Sequence, residues 1–283
     1  MNNQKLAARL SLVLSALIWG ITFILVKDAL NDVGPYYFAA LRFSVACIIT
    51  ILVVNRAITN LTPVEIVGGL ICGFFLFAAY TFQNFGLIIT TASKSAFITS
   101  ISVLLVPVIL QLFSMQAIKK SVWLAVIIAS FGLFLLLNPS GGGLNWGDIL
   151  TFGCALGFAI HIIVQDIYVK KGVDILRFFL VQACTVCVLS SINGYVFEPE
   201  AIIWSKRLLS ALLVTGILAS FVAIIFMIWA QKILNPSETA IIFSLEPVFA
   251  ALFAAAFAGE ILGLWGWVGG GFVVIAVALS ESG

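Results

Sequence analysis

Glu246 stands directly before Pro247, about eight residues into a long apolar run. A carboxyl group at that depth calls for a partner, a solute or a proton. Proline has no amide hydrogen, and its ring frees the carbonyl one turn earlier, around Phe243. A carboxyl group next to a broken hydrogen-bond ladder is a candidate ion or solute site. His161, the single histidine, lies midway along another apolar run, and Phe158, His161 and Gln165 share one helix face at i, i+3 and i+7. Tyr80, Gln83, Asn84 and Leu87 form a similar stripe, whose two adjacent amides are costly unless they meet partners or water. Ser15, Trp19 and Thr22 lie on one face of a third run, and Ser95, Thr99 and Ser102 on one face of a fourth. Phe226 and Trp229 add aromatic surface, and Ser244 lies two residues before Glu246. Trp19, Thr22, Tyr80, Gln83, Asn84, Ser95, Thr99, Phe158, His161, Gln165, Phe226, Trp229, Ser244 and Glu246 are therefore the candidate solute-binding residues.

Each has a plainer reading beside it. A lone histidine is often just hydrogen-bonded in a core, small hydroxyls glue helices together, and a glutamate can bond a neighbouring helix end. Glu246 and His161 could also serve as acid and base in an intramembrane enzyme. Against that, no nucleophile–base constellation and no HExxH spacing occurs, so the chain is expected not to be an enzyme. No second His or Cys stands at ligand spacing from His161, and Cys184 and Cys187, though a CxxC, lie inside an apolar run with no second pair nearby. No metal and no cofactor is expected. ATP hydrolysis is not expected either, since no GxxxxGK[ST] loop is present.

The runs carrying these residues dominate the chain. Of 283 residues, 63% are hydrophobic and only 9% charged, with a mean hydropathy of +1.21, whereas a soluble domain carries about 25% charged residues. Such a chain cannot cover its surface with polar groups, so its solvent is a lipid bilayer. A net charge of +2 is too small to point to nucleic acid. Apolar runs fall at about 6–27, 36–55, 64–89, 95–117, 121–138, 147–169, 175–197, 207–231, 238–258 and 262–280, each close to the ~20 residues a spanning helix needs. The first is too long for a signal peptide and is expected to be a permanent span. Turn and breaker signals separate the runs, including Asn31-Asp32-Val33-Gly34-Pro35, Thr62-Pro63, the 138–143 stretch, Glu198-Pro199 and Asn235-Pro236-Ser237.

With ten spans and a cytoplasmic N-terminus, one side receives Lys5, Arg9, Arg56, Lys119, Lys120, Lys170, Lys171, Arg177 and Lys232. The other receives Lys27, Lys94, Lys206 and Arg207. Nine against four follows the positive-inside rule, which predicts cytoplasmic N- and C-termini. Arg42 alone falls within a span, near enough to the outer interface to snorkel, with a structural role weighed equally against a functional one.

The two halves resemble each other. Thr91-Ala92-Ser93-Lys94-Ser95-Ala96-Phe97-Ile98 leads to Pro107, and Asn235-Pro236-Ser237-Glu238-Thr239-Ala240-Ile241-Ile242 leads to Pro247, with Gly141, Gly142 and Gly143 at the midpoint. Five spans per half force the second half into the membrane upside-down. The expectation is an all-α polytopic membrane protein of ten transmembrane helices in two inverted five-helix repeats, 1–140 and 141–283.

These residues carry a family resemblance. Ile18-Trp19-Gly20, Leu41-Arg42-Phe43, the Thr91–Phe97 stretch before Pro107, and Ser244-Leu245-Glu246-Pro247-Val248 followed by Gly259-Glu260 occur in an order that resembles the EamA family of the drug/metabolite transporter superfamily, over essentially the full length. In place of a matching Gly-Glu pair, the first half has Gln116-Ala117-Ile118-Lys119-Lys120 after its fourth span. The resemblance implies an export-type permease with a central cavity lined by helices 1, 3, 4, 6, 8 and 9. The cavity is expected to be aromatic, hydrogen-bonding and short of fixed charge. Phosphorylated solutes normally need Arg or Lys, so a polar metabolite such as a zwitterionic, aromatic amino acid fits better, with drug-like solutes as an alternative. The expected setting is a bacterial inner membrane, as monomer or homodimer, with alternating access about a midplane site and protons as a candidate coupling ion through Glu246.

Overall fold

The computed structural model describes residues 2–54, 60–115, 117–137, 145–257 and 263–281. Arg56, Gln116, the 138–144 segment with its glycines, and Gly259-Glu260 lie outside the described residues. Every regular element among the described residues is helical. Among the described residues, eight helical stretches are long and apolar enough to cross a membrane: Asn3–Ala29, Pro35–Val53, Pro63–Ile89, Ala92–Leu112, Trp146–Val169, Ile175–Phe197, Lys206–Gln231 and Pro236–Phe253. Two further apolar helices are shorter, with apolar stretches Lys120–Leu135 and Leu264–Leu279.

The elements are α1 (Asn2–Ala29), α2 (Pro35–Val54), α3 (Pro63–Ile89), α4 (Ala92–Ser100), α5 (Ser102–Leu112), α6 (Lys120–Leu137), α7 (Trp146–Val169) and α8 (Ile175–Phe197). They continue with α9 (Lys206–Val214), a π-helical segment (Thr215–Val222), α10 (Ala223–Gln231), α11 (Pro236–Phe243), α12 (Glu246–Phe257) and α13 (Leu264–Glu281). Their starts are written in the sequence. Thr62 caps α3, with Pro63 at the first helical position and Glu65 closing a capping box; Asn145 and Asp148 do the same for α7. Asn235 caps α11 ahead of Pro236, and Thr91 caps α4.

Two stretches expected as single spans are broken. Ile101 N–H reverts to an i−3 bond with Ile98 and separates α4 from α5. Ser244 and Leu245 donate to Ile241 and Ile242 in the same tighter manner, ending α11 before Glu246 opens α12. The second break falls just after Phe243, whose carbonyl Pro247 cannot bond because it has no amide hydrogen. The first does not lie at Pro107, which is accommodated inside α5. Each break comes ten residues after its cap, Thr91 or Asn235.

The helices pack in reciprocal pairs: α3 runs along α7 and α1 along α10, α2 meets α8, and α6 meets α13. The α12 helix lies on α1, as α4 and α5 lie on α7. Close approach needs glycine where α1 meets the second break. A Cβ on Gly20 would stand 2.8 Å from the Glu246 carbonyl oxygen and 2.9 Å from the Phe249 Cβ. The outward faces are apolar, with Leu10, Ile51, Leu52, Ile127, Phe131 and Val196 all more than 40% exposed, as suits helices facing lipid.

Candidate functional site

A cavity lies in the middle of the bundle, with about 740 Å³ of empty space when its open mouth is included. Its walls come from α1 (Trp19, Thr22, Phe23, Val26), α3 (Leu76, Tyr80, Gln83, Leu87) and the α4–α5 break (Thr99, Ser100, Ser102). The remaining wall is α7 (Phe158, His161, Ile162), α10 (Ile224, Met227) and the α11–α12 break (Phe243, Glu246), with α2 supplying Arg42.

Eight expected residues are thus brought together: Trp19, Thr22, Tyr80, Gln83, Thr99, Phe158, His161 and Glu246. Trp19 stacks obliquely on Phe243 at 4.8 Å between ring centroids, and its Nε1–H donates to the Ala219 carbonyl at 2.9 Å. Tyr80 meets Phe158 edge-on at 5.3 Å. These contacts fix the aromatic walls in place. The His161 Nε2 pairs with the Gln182 side-chain oxygen at 3.0 Å, tying α7 to α8. Glu246, 8% exposed, has no ion-pair or hydrogen-bond partner for its side chain among the described residues.

Six expected residues are set apart from this wall. Gln165 donates to the Gln231 side chain at 2.7 Å, and Gln231 donates in turn to the Ile162 carbonyl, forming a buried amide lock between α7 and α10. Asn84 donates to the Pro35 carbonyl and holds the start of α2. The Ser244 hydroxyl bonds back to Ile241 at the break, while Ser95 is fully buried beyond the wall. Phe226 and Trp229 are displaced by the π-helical segment. Its wider turns shift the phase of everything after them, so Ile224 and Met227 face inward instead. The sequence carries no recognisable signal for that segment.

Arg42 is the main correction. Rather than snorkelling to an interface, it is 2% exposed and stands in the cavity wall, so the cavity does contain a fixed cation. The inward face of α2, with Phe38 and Phe43, carries the side chain under Tyr80. Its guanidinium carbon lies 4.5 Å from the Tyr80 ring centroid and 5.6 Å from that of Phe43. Its Nε–H donates to the Ser220 hydroxyl of the π-helical segment at 2.9 Å. The signal was available in the sequence: an arginine between aromatic residues seven positions inside an apolar run.

Beyond the cavity, two ion pairs stand at opposite ends of α1. Near its start, Arg9 pairs with Glu238 of α11 at 2.8 Å. At its far end, Lys27 donates to the Leu87 and Thr90 carbonyls, beside the ion pair of Lys94 in α4 with Asp148 in α7. Arg9 and Lys27 are about 27 Å apart along the helix. Outside the spans, Asp32 accepts from Arg207 and Ser205. These bonds, that of Arg207 foremost, hold its carboxyl below the usual carboxylate range.

The EamA-like transporter family matches the chain twice, over residues 6–138 and 145–281. The chain belongs to this family. An Archaeoglobus fulgidus protein described as an uncharacterized transporter is 34% identical over 276 residues, covering 98% of this chain and 86% of its own length. A Bacillus subtilis protein, also described as an uncharacterized transporter, is 22% identical over 86% of each chain. A solved crystal structure superposes with a TM-score of 0.81 over 97% of this chain and 96% of the other, at 16% identity. That likeness establishes the fold. The chain is a multi-pass membrane transporter protein whose family handles small-molecule solutes within a lipid bilayer.

Proposed function

We propose that this EamA protein is a secondary transporter that exports a small polar metabolite, such as an amino acid, by alternating access about the central cavity. The carrying observation is the cavity itself: both halves of the chain build it, and the two broken helices put polar and charged groups beside aromatic walls. The solute is bound by Trp19, Thr22, Tyr80, Gln83, Thr99, Phe158, His161 and Glu246, with Arg42 added to the expected set. The shorter helices α6 and α13 also cross, making ten spans in two inverted repeats with both termini in the cytoplasm of a bacterial cell. The reciprocal helix pairings, the matched breaks after Thr91 and Asn235 and the twofold family match support this arrangement.

The ion pairs at the two ends of α1 support alternating access. Arg9–Glu238 joins the first helix of one half to the broken helix of the other, and Asp148–Lys94 does the same with halves and charges exchanged. They are natural closures for the two sides of the cavity, and opening one while the other holds would expose the cavity to each side in turn.

The test is reconstitution. Proteoliposomes carrying the purified protein and loaded with a bacterial metabolite extract should release a subset of solutes saturably and chemically unchanged, against protein-free vesicles. Release of chemically altered solutes would instead support intramembrane catalysis, and non-saturable release of all small solutes would support a pore. Metabolite profiling of the medium of expressing cells then gives the direction of net flux.

A further inference from the structure

We propose that Arg42 is the specificity-determining anchor for a carboxylate on the transported solute, with Glu246 taking its cationic group, so that the cavity selects zwitterions over solutes carrying either charge alone. This rests on the transport reading above. Arg42 and Glu246 are the only cation and the only acid in the cavity wall among the described residues. Both are more than nine-tenths buried, and neither forms an ion pair among the described residues. A guanidinium and a carboxyl group withdrawn from water without reaching each other are each left without a partner, a costly arrangement. A solute bearing both a carboxylate and an ammonium removes that cost at both poles at once.

The way Arg42 is held fits this role. Ser220 takes its Nε–H, and the Tyr80 ring lies against the guanidinium. The Tyr80 hydroxyl also bonds the guanidinium, and the N–H groups not engaged by Ser220 and Tyr80 are the ones that can receive a planar carboxylate. A lysine supplies charge without that fork. In the same wall, Trp19, Phe158 and Phe243 offer apolar surface to a side chain. An amine without a carboxylate leaves Arg42 uncompensated, an acid without an amine leaves the Glu246 carboxyl group unpartnered, and a phosphate dianion brings more negative charge than the single Arg42 can balance.

The test uses the full-length protein in proteoliposomes, with labelled phenylalanine as the probe and β-phenethylamine, 3-phenylpropionate and phosphoserine as competitors. On the unmodified protein, each single-charge analogue is expected to compete at least about tenfold less well than unlabelled phenylalanine, and phosphoserine less well still. Equal competition by any of them overturns the proposal without involving a variant. Arg42→Gln is expected to raise the phenylalanine KM at least tenfold and to erode discrimination against phenethylamine, with Arg42→Lys restoring only part of both. Glu246→Gln is expected to erode discrimination against 3-phenylpropionate instead. Unchanged discrimination in both folded variants overturns the assignment. If extract-loaded vesicles release solutes saturably but none is a zwitterion, this inference falls while the transport reading stands. If nothing is released, both fall.

Discussion

The polar side chains buried in this bundle divide into those that finish the fold and those that face the cavity, and substitution should tell them apart. Gln165 donates to the Gln231 side-chain oxygen outside the cavity wall, and Gln231 to the Ile162 carbonyl, while the Gln165 oxygen itself is buried without a partner among the described residues. Gln165→Leu strands the Gln231 side chain, and a buried polar group left unpaired costs about 1–3 kcal/mol. The expected result is a lower unfolding temperature in detergent with the solute KM unchanged. A raised KM at unchanged stability would put Gln165 in the binding site after all. Tyr80 should behave in the opposite way, because it touches the cavity, Arg42 and Phe158 together. Tyr80→Ala is expected to raise KM by at least about tenfold, since base truncation of an aromatic wall removes both apolar area and the cation–π contact. Glu246→Gln addresses proton coupling. If Glu246 carries the coupling proton, transport by the variant loses its pH dependence; an unchanged pH profile would assign coupling elsewhere.

Breaks, closures and one close crossing do the corresponding work among the elements. Gly20 allows α1 to pass over the backbone that opens α12. Gly20→Val forces atoms into the Glu246 carbonyl and Phe249, and such overpacking costs about 1–3 kcal/mol. Because Glu246 is the residue displaced, the variant should lose transport before it loses expression, as read by uptake against protein yield. The ion pairs at the two ends of α1 should bias opening in opposite senses. A partly exposed ion pair is worth up to ~1 kcal/mol, a population ratio of about fivefold. With Thr22→Cys as a reporter, Lys94→Gln should speed labelling by an impermeant thiol reagent from the Lys27 end, and Arg9→Gln from the other end, each by up to that factor. Equal acceleration from both sides by either variant would count against their role as closures.

Over the whole molecule, the bilayer holds the outward apolar faces, and polar ties hold the two halves to each other. Asp32, between α1 and α2, grips Arg207 at the start of α9. Its folded pKa is lowered, so this tie stabilises the protein fully above the unfolded value near ~4 and is lost as pH falls through the folded value. Asp32→Asn is therefore expected to lower the unfolding temperature at pH 7 by more than it does near pH 3. A deficit of the same size at both pH values would show that the aspartate acts through packing and not through its charge.

Much of this was legible in the chain alone, because a bilayer makes length and hydropathy decisive. A helix in lipid must satisfy its own backbone, so long apolar runs, caps such as Thr62 and Asn235, and the break before Pro247 follow from local rules. Stripes on regular helices were legible for the same reason, which is how Trp19, Tyr80, Gln83, Phe158 and His161 could be placed together from their spacing. The folded bundle decided what spacing cannot encode. The π-helical segment changed the phase of α10 and replaced Phe226 and Trp229 with Ile224 and Met227 in the wall. Gln165 and Asn84 share their stripes with cavity residues, but neighbouring helices reach them first. Arg42 joined the cavity because Tyr80 and Ser220, distant in sequence, enclose it. A residue's place along its own helix is a local property, whereas what faces it depends on helices separated from it by scores of residues, and only their packing fixes that.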